Sequence, residues 1–273
     1  MSKIPIFAKN TKMNRNRPLI LVTNDDGYRA KGLRKLVSLM RPLGDVVVIS
    51  TEQVMSAKGH SITTTPTLRA ELLEEAAGYQ AYVCNGTPVD CVKMGYQWLL
   101  DRMPDLVVSG INHGSNASSN VVYSGTMAAA IEACMDGIPA IGFSLDSYDL
   151  DADFDHLDDY ITAITKEVLR SGLPQGVCLN VNFPVRQDEP IKGLKICRQA
   201  KAKWTEVYTE CQNESGENCL RLGGKFVYED SGDDTDYFAL QNNYVSLTPT
   251  HFDLTARQYL DKMDRFVNIL ETL

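Results

Sequence analysis

Leu19-Ile20-Leu21-Val22-Thr23-Asn24-Asp25-Asp26-Gly27 is the stretch from which the fold follows. Its first five residues are apolar or β-branched with no polar alternation, which predicts a strand covered on both faces, the habit of parallel sheets. The abrupt change to Asn24-Asp25-Asp26-Gly27 predicts a tight turn at the strand's carboxyl end, the edge where open α/β sheets bind ligands. Two adjacent carboxylates repel when ionised, and a divalent cation relieves that repulsion while taking their oxygens as hard ligands. An Asx turn closing the strand explains the same residues, and the pair alone favours the turn.

Runs of the same kind lie at 46–50, 82–84, 106–109, 140–143 and 177–181. Between and after them, 32–40, 89–100, 126–135 and 157–170 place apolar residues three and four apart, and Gly44, Gly137 and Gly172 stand where such helices stop. The alternation predicts a doubly wound α/β fold with a mostly parallel sheet. From 183 to 250 helical spacing fades and clusters such as Ser231-Gly232-Asp233-Asp234 separate short strand-like pieces, predicting hairpins appended to the core. In the tail, Leu254, Leu260, Met263, Phe266, Val267 and Leu270 return to helical spacing and predict a docked terminal helix. The expected division is an N-terminal extension over 1–17, an α/β core over 18–182, a hairpin and oligomerisation region over 183–250, and a C-terminal helix over 251–273.

At 273 residues, 44% hydrophobic and 23% charged, the chain can bury a full core without staples and is poorly described as disordered or fibrous. A formal charge of -8 opposes nonspecific attraction to a nucleic-acid backbone. No apolar run approaches the length of a membrane span, and residues 1–17 lack the apolar segment of a secretory signal. The seven cysteines contain no C-x-x-C pair, which predicts reduced thiols and a cytoplasmic protein.

The remaining polar breaks fall after strands. Ser56-Ala57-Lys58-Gly59-His60-Ser61 follows the second, where Ser56 offers an oxygen ligand or serves as an ordinary loop serine. Gly110-Ile111-Asn112-His113-Gly114-Ser115-Asn116 follows the fourth, and Asn112 can supply a neutral carbonyl oxygen. Tyr123-Ser124-Gly125-Thr126 then opens an Ala-rich helix whose first N–H groups and dipole favour an anion, although a Ser/Thr cap accounts for Ser124 or Thr126 equally well. Asn85-Gly86-Thr87-Pro88 reads as a capped helix start. Four dispersed histidines give no zinc pattern, so a metal here takes mainly oxygen ligands and magnesium or manganese fits best. Dinucleotide, Walker-type and serine-hydrolase segments are absent from the sequence.

Taken together, T-N-D-D-G at 23–27, G-T-P-x-D-C-V at 86–92, S-G-I-N-x-G at 109–114 and Y-S-G-T-x-A-A at 123–129 closely resemble the survival protein E (SurE) family of metal-dependent nucleotidases. The resemblance continues through Thr235-Asp236-Tyr237 and Val245-Ser246-Leu247-Thr248-Pro249 to Asp253 and Thr255. It implies a Rossmann-like core, with hydrolysis of nucleoside 5′- and often 3′-monophosphates and one divalent cation per subunit, Mg²⁺ or Mn²⁺. It implies metal ligation by Asp25, Asp26, Ser56 and Asn112, with Asp25, Asp26 and Asn112 as the catalytic set. Ser124, Gly125 and Thr126 match its phosphate-holding turn, with Asn116 beside them. The late hairpin matches an intersubunit arm, implying a homodimer or homotetramer. Two departures stand out: Ala57 follows Ser56 where glycine is common, and Ser119-Asn120 replace a position that is often acidic. Water activated at the metal is the expected nucleophile, with an aspartyl phosphate on Asp25 or Asp26 as the other route. Short-chain polyphosphate or another phosphomonoester as substrate, and nonenzymatic nucleotide binding, are the competing functional readings.

Overall fold

The structure, a computed structural model, describes residues 13–65, 67–267 and 269. Most of the expected extension (1–12) and the end of the expected terminal helix (268 and 270–273) lie outside the described residues. The opening stretch forms strand β1, Leu19–Thr23, buried at every position. It is followed by α1 (Lys31–Met40), β2 (Asp45–Thr51), β3 (Ala70–Ala76), β4 (Tyr79–Cys84), α2 (Pro88–Met94) and β5 (Leu106–His113). Next come α3 (Gly125–Met135), β6 (Ala140–Leu145), α4 (Asp158–Ser171), β7 (Val177–Phe183) and β8 (Leu194–Ile196). The last described elements are β9 (Ala202–Gln212), β10 (Asn218–Tyr228), α5 (Asp236–Gln241), β11 (Val245–His251) and α6 (Asp264–Val267).

Nine strands make one sheet in the order β3-β4-β2-β1-β5-β6-β7-β11-β8, and β9 with β10 make a separate ribbon. Strands β4 through β7 run parallel, whereas β3 on β4 and β11 on β7 are antiparallel. From β1 the chain moves outward through β2 to β4, then returns to place β5 on the other side of β1. That reversal opens a crevice at the carboxyl ends of β1 and β5, where doubly wound sheets take ligands.

Strand alternation divides the core in two. Ile20 and Val22 face a layer with Leu33, Leu36 and Met40 of α1 and Ile161 and Val168 of α4. Leu19 and Leu21 face the opposite layer, with Cys91 and Val92 of α2 and Met127, Ala130 and Ala133 of α3.

Several elements depart from the sequence reading. β3 was not among the expected strands because it is an exposed edge carrying Glu71, Glu74 and Glu75, without an apolar run. The helical run 89–100 ends as α2 at Met94 and continues as a π turn over Gly95–Leu99. The segment after β7 does more than append hairpins, since β11 and β8 join the main sheet and α5 lies between the ribbon and β11. Pro249 hides β11 from a pattern search; β8 pairs only with Val245–Leu247, so at Pro249 the strand is an edge that tolerates a missing donor. Among the described residues of the tail, the helical spacing is realised as a 3-10 segment, Arg257–Met263, followed by α6, with Leu254, Leu260, Phe266 and Val267 more than half exposed.

Candidate active site

The turn after β1 is braced from within. Asn24 donates from Nδ2 to Gly27 O at 3.0 Å and accepts at Oδ1 from Ser50 Oγ at 2.6 Å, tying the turn to the end of β2. Gly27 adopts φ +87°, which a side chain would strain. The bracing presents Asp25, buried, and Asp26, half-buried, at the β1–β5 crevice.

Three other segments converge on this pair. Met55 N donates to Asp25 O at 2.7 Å, so the loop after β2 carries Ser56 to the same edge. His113 N lies 3.4 Å from Asp26 Oδ2, which brings the end of β5, with Asn112, against the second carboxylate. Asn112 donates from its amide to Gly114 O at 2.7 Å, leaving its own carbonyl oxygen as the spare acceptor. Thr126 Oγ1 donates to Asp25 Oδ1 at 2.6 Å, setting the first turn of α3 directly on the first carboxylate. A Cβ on Gly125 would sit 2.9 Å from Asp25 Oδ2, so glycine is what allows this approach.

Burial, reinforced by the charge of Asp26 and opposed by the Thr126 hydroxyl, pushes the Asp25 carboxyl up to about 6. Burial likewise raises that of Asp26, against the pull of the His113 N–H. Neither carboxylate forms an ion pair with Lys, Arg or His among the described residues. Two negative charges thus meet with no cation paired to either among the described residues, and a hard divalent cation fits their oxygen donors. Among the described residues no three His, Cys, Asp or Glu side chains cluster, so such a cation would rest on the Asp pair with neutral hydroxyl and amide oxygens.

At the head of α3 the cap and the anion cradle coexist. Ser124 Oγ accepts from Met127 N at 2.9 Å as an N-cap and retains its own proton to donate. Asn116 sits deeper than the sequence reading implies: its amide donates to Ser144 Oγ at 2.8 Å and its backbone N to Asn182 Oδ1 at 2.7 Å. Asn180 closes this buried network by donating to Asn116 O at 2.8 Å. Ser144, Asn180 and Asn182 were missed because a polar residue within an apolar strand carries no local signal of its partner. Asp236 carries no signal in the sequence beyond its place in Thr235-Asp236-Tyr237. Buried in α5, it accepts from Ser118 N at 2.7 Å and Ala200 N at 2.9 Å, pinning the 3-10 turn Ser118–Val122 that leads into Ser124. Asn120 accepts from Trp204 Nε1 at 2.9 Å and donates to Ser115 O at 3.1 Å, using both ends of an amide where a carboxylate would offer only acceptors.

The family model for Survival protein SurE matches residues 20–206, spanning the crevice from β1 to the start of β9. This chain belongs to the SurE family. A 5′-nucleotidase SurE of Christiangramia forsetii is 53% identical over 250 residues, covering 91% of this chain and 96% of the relative. The protein of the same name from Bacteroides fragilis is 45% identical, covering 92% of this chain and 98% of its own length. The crystal structure of SurE from Aquifex aeolicus superposes with a TM-score of 0.76 at 34% identity, covering 93% of this chain and all of that one. The SurE likeness thus extends beyond the sheet to the segments after residue 183.

Proposed function

We propose that this chain is a divalent-metal-dependent phosphomonoesterase that hydrolyses nucleoside 5′-monophosphates, and 3′-monophosphates as well, to nucleoside and phosphate. Relatives named 5′-nucleotidase SurE support the substrate class. The observation that carries the reading is the 2.6 Å contact joining Asp25 to Thr126, because it puts a buried acidic pair and a helix N-terminus in one crevice. Asp25, Asp26, Ser56 and Asn112 would hold the cation, Mg²⁺ or Mn²⁺. Bound there, it would supply positive charge to offset the phosphoryl oxygens and would lower the pKa of a water held beside them. The first-turn N–H groups of α3 and the Ser124 hydroxyl orient the phosphate, Thr126 holds Asp25 in place, and Asn116 fixes the loop between them.

Phosphate release from AMP, GMP and 3′-AMP is expected to fall at least a hundredfold in EDTA and to return with Mg²⁺ or Mn²⁺. Release that persists in EDTA removes the metal role. Faster turnover of short polyphosphate than of any nucleotide replaces the substrate assignment.

We place the chain in the cytoplasm, a reading supported by seven cysteines with no C-x-x-C pair in a chain large enough not to need disulfides. No described helix is long and apolar enough to cross a membrane. A homodimer or homotetramer formed through the ribbon is supported by exposed Val207, Tyr208, Leu220 and Leu222. Sedimentation showing a monomer at assay concentration would remove that part.

A further inference from the structure

The ribbon of β9 and β10 carries a thiol pair that the proposed hydrolysis does not use. Cys211 lies directly opposite Cys219, and their Sγ atoms are 3.0 Å apart. Directly opposed residues on antiparallel strands have Cα atoms about 4.5–5.5 Å apart. A disulfide spans about 4.4–6.8 Å. The turn beyond the pair is already tight: Asn213 N donates to Glu217 O at 3.1 Å, while Asn213 Oδ1 accepts from Ser215 N at 3.0 Å and Glu217 N at 2.9 Å. The two sulfurs are thus held in register, and closing the bond orders little new chain.

Accessibility separates this pair from the rest. Cys84, Cys91, Cys134, Cys178 and Cys197 are buried, whereas Cys211 and Cys219 are half-exposed. Cys84 adjoins Cys91 and Cys134 adjoins Cys178, so the molecule holds two shielded thiol pairs as internal controls.

We propose that Cys211 and Cys219 form a reversible disulfide by exchange with a low-molecular-weight disulfide, fixing the distal end of the ribbon. One thiolate attacks a sulfur of the small disulfide, forming a mixed disulfide and releasing one small thiol. The second thiolate attacks the protein sulfur of that mixed disulfide, expelling the other small thiol. Two protein thiols are oxidised and one small disulfide is reduced to two thiols. Alternate residues share a face of a strand, so Cys211 lies on the face of Thr205, Val207 and Thr209, and Cys219 on that of Lys225 and Val227. Thr205, Val207, Thr209, Lys225 and Val227 line a groove of about 400 Å³, and the new bond would staple the ribbon just beyond its end.

The test titrates the full chain with mixtures of reduced and oxidised glutathione, followed by differential alkylation and peptide mapping. The expected result is loss of two of the seven thiols, a Cys211–Cys219 link, recovery of all seven with excess thiol, and slower amide hydrogen exchange over 212–218. Cys211→Ser is expected to give a glutathione adduct on Cys219 and no internal link. Separate adducts on Cys211 and Cys219 in the unmutated chain, or oxidation of either buried pair at a lower glutathione disulfide ratio, would overturn the proposal.

Discussion

Ala57 adopts φ +60°, in the left-handed region where a Cβ costs an L-residue about 1–2 kcal/mol. Ala57→Gly removes that strain at the cost of glycine's own extra chain entropy, about 0.5–1 kcal/mol. Chemical denaturation is expected to show the variant more stable by about 0.5–1 kcal/mol; a loss of stability would mean the loop gains something from the methyl group. Asp25→Asn acts in two directions. It removes a buried like-charge contact, so the EDTA-treated variant should melt a few degrees higher than the parent. It also removes a proposed ligand, so nucleotide hydrolysis should fall at least a hundredfold. Activity near the parent's would sink the assignment of Asp25. At this scale the sequence was readable where polarity changed abruptly: Asp25, Asn112 and Ser124 each end a strand or open a helix. Asn180, Asn182 and Asp236 were not, because their role lies in partners tens of residues away.

The loop after β2 is strapped to two helices at once. Thr63 N donates to Asp90 of α2 at 3.1 Å, and Gly59 N to Tyr123 O just before α3 at 3.1 Å. Glu132 of α3 receives His60 Nε2 at 2.8 Å and also pairs with Lys93 of α2. These straps set where Ser56 stands. Glu132→Gln should weaken metal affinity about tenfold, the scale of losing an outer support, with kcat largely kept at saturating metal. A drop in kcat with unchanged metal affinity would argue against a positioning role. The hydrogen bond from His60, ahead of that from Lys93, holds the Glu132 carboxyl below its ordinary value. Because the folded state depresses this acid, the strap's contribution is full above about 4.5 and fades as pH falls through the lower folded value. The stability gap between parent and Glu132→Gln, from urea midpoints, should therefore narrow below about pH 4.5; a gap that widens there contradicts the assignment. Elements were legible where they were buried on both sides, as β1 and β2 are. They were obscured where a charged edge (β3), a proline (β11) or an interrupted period (α2) broke the pattern.

At the scale of the whole molecule, the chain after residue 183 has two unequal parts. β8 and β11 extend the main sheet, while the ribbon packs at its base on α5: Trp204 lies against Phe226, and Phe226 and Tyr228 both lie against Tyr237, with ring centroids 4.6 to 5.6 Å apart. Replacing residues 206–224 by a short turn is expected to leave a cooperative unfolding transition and to lower the sedimentation coefficient to that of a single chain. Ending the chain at residue 183 is expected to abolish the cooperative transition, because β7 loses its antiparallel partner and the site turn loses Asp236. A well-folded truncated chain would show that the core is self-sufficient. The doubly wound centre was foreseeable from alternating runs; the return of β11 was not, since strand partners so far from the core leave no local period.

The Asp236 contact also bears on synthesis. The crevice residues, from Asp25 to Thr126, are made in the first half of translation, yet the turn that leads into Ser124 is anchored by a carboxylate encoded more than a hundred codons later. A nascent chain therefore carries every proposed ligand before it carries the clamp that aligns them. Full alignment of the crevice would therefore wait for α5, late in synthesis.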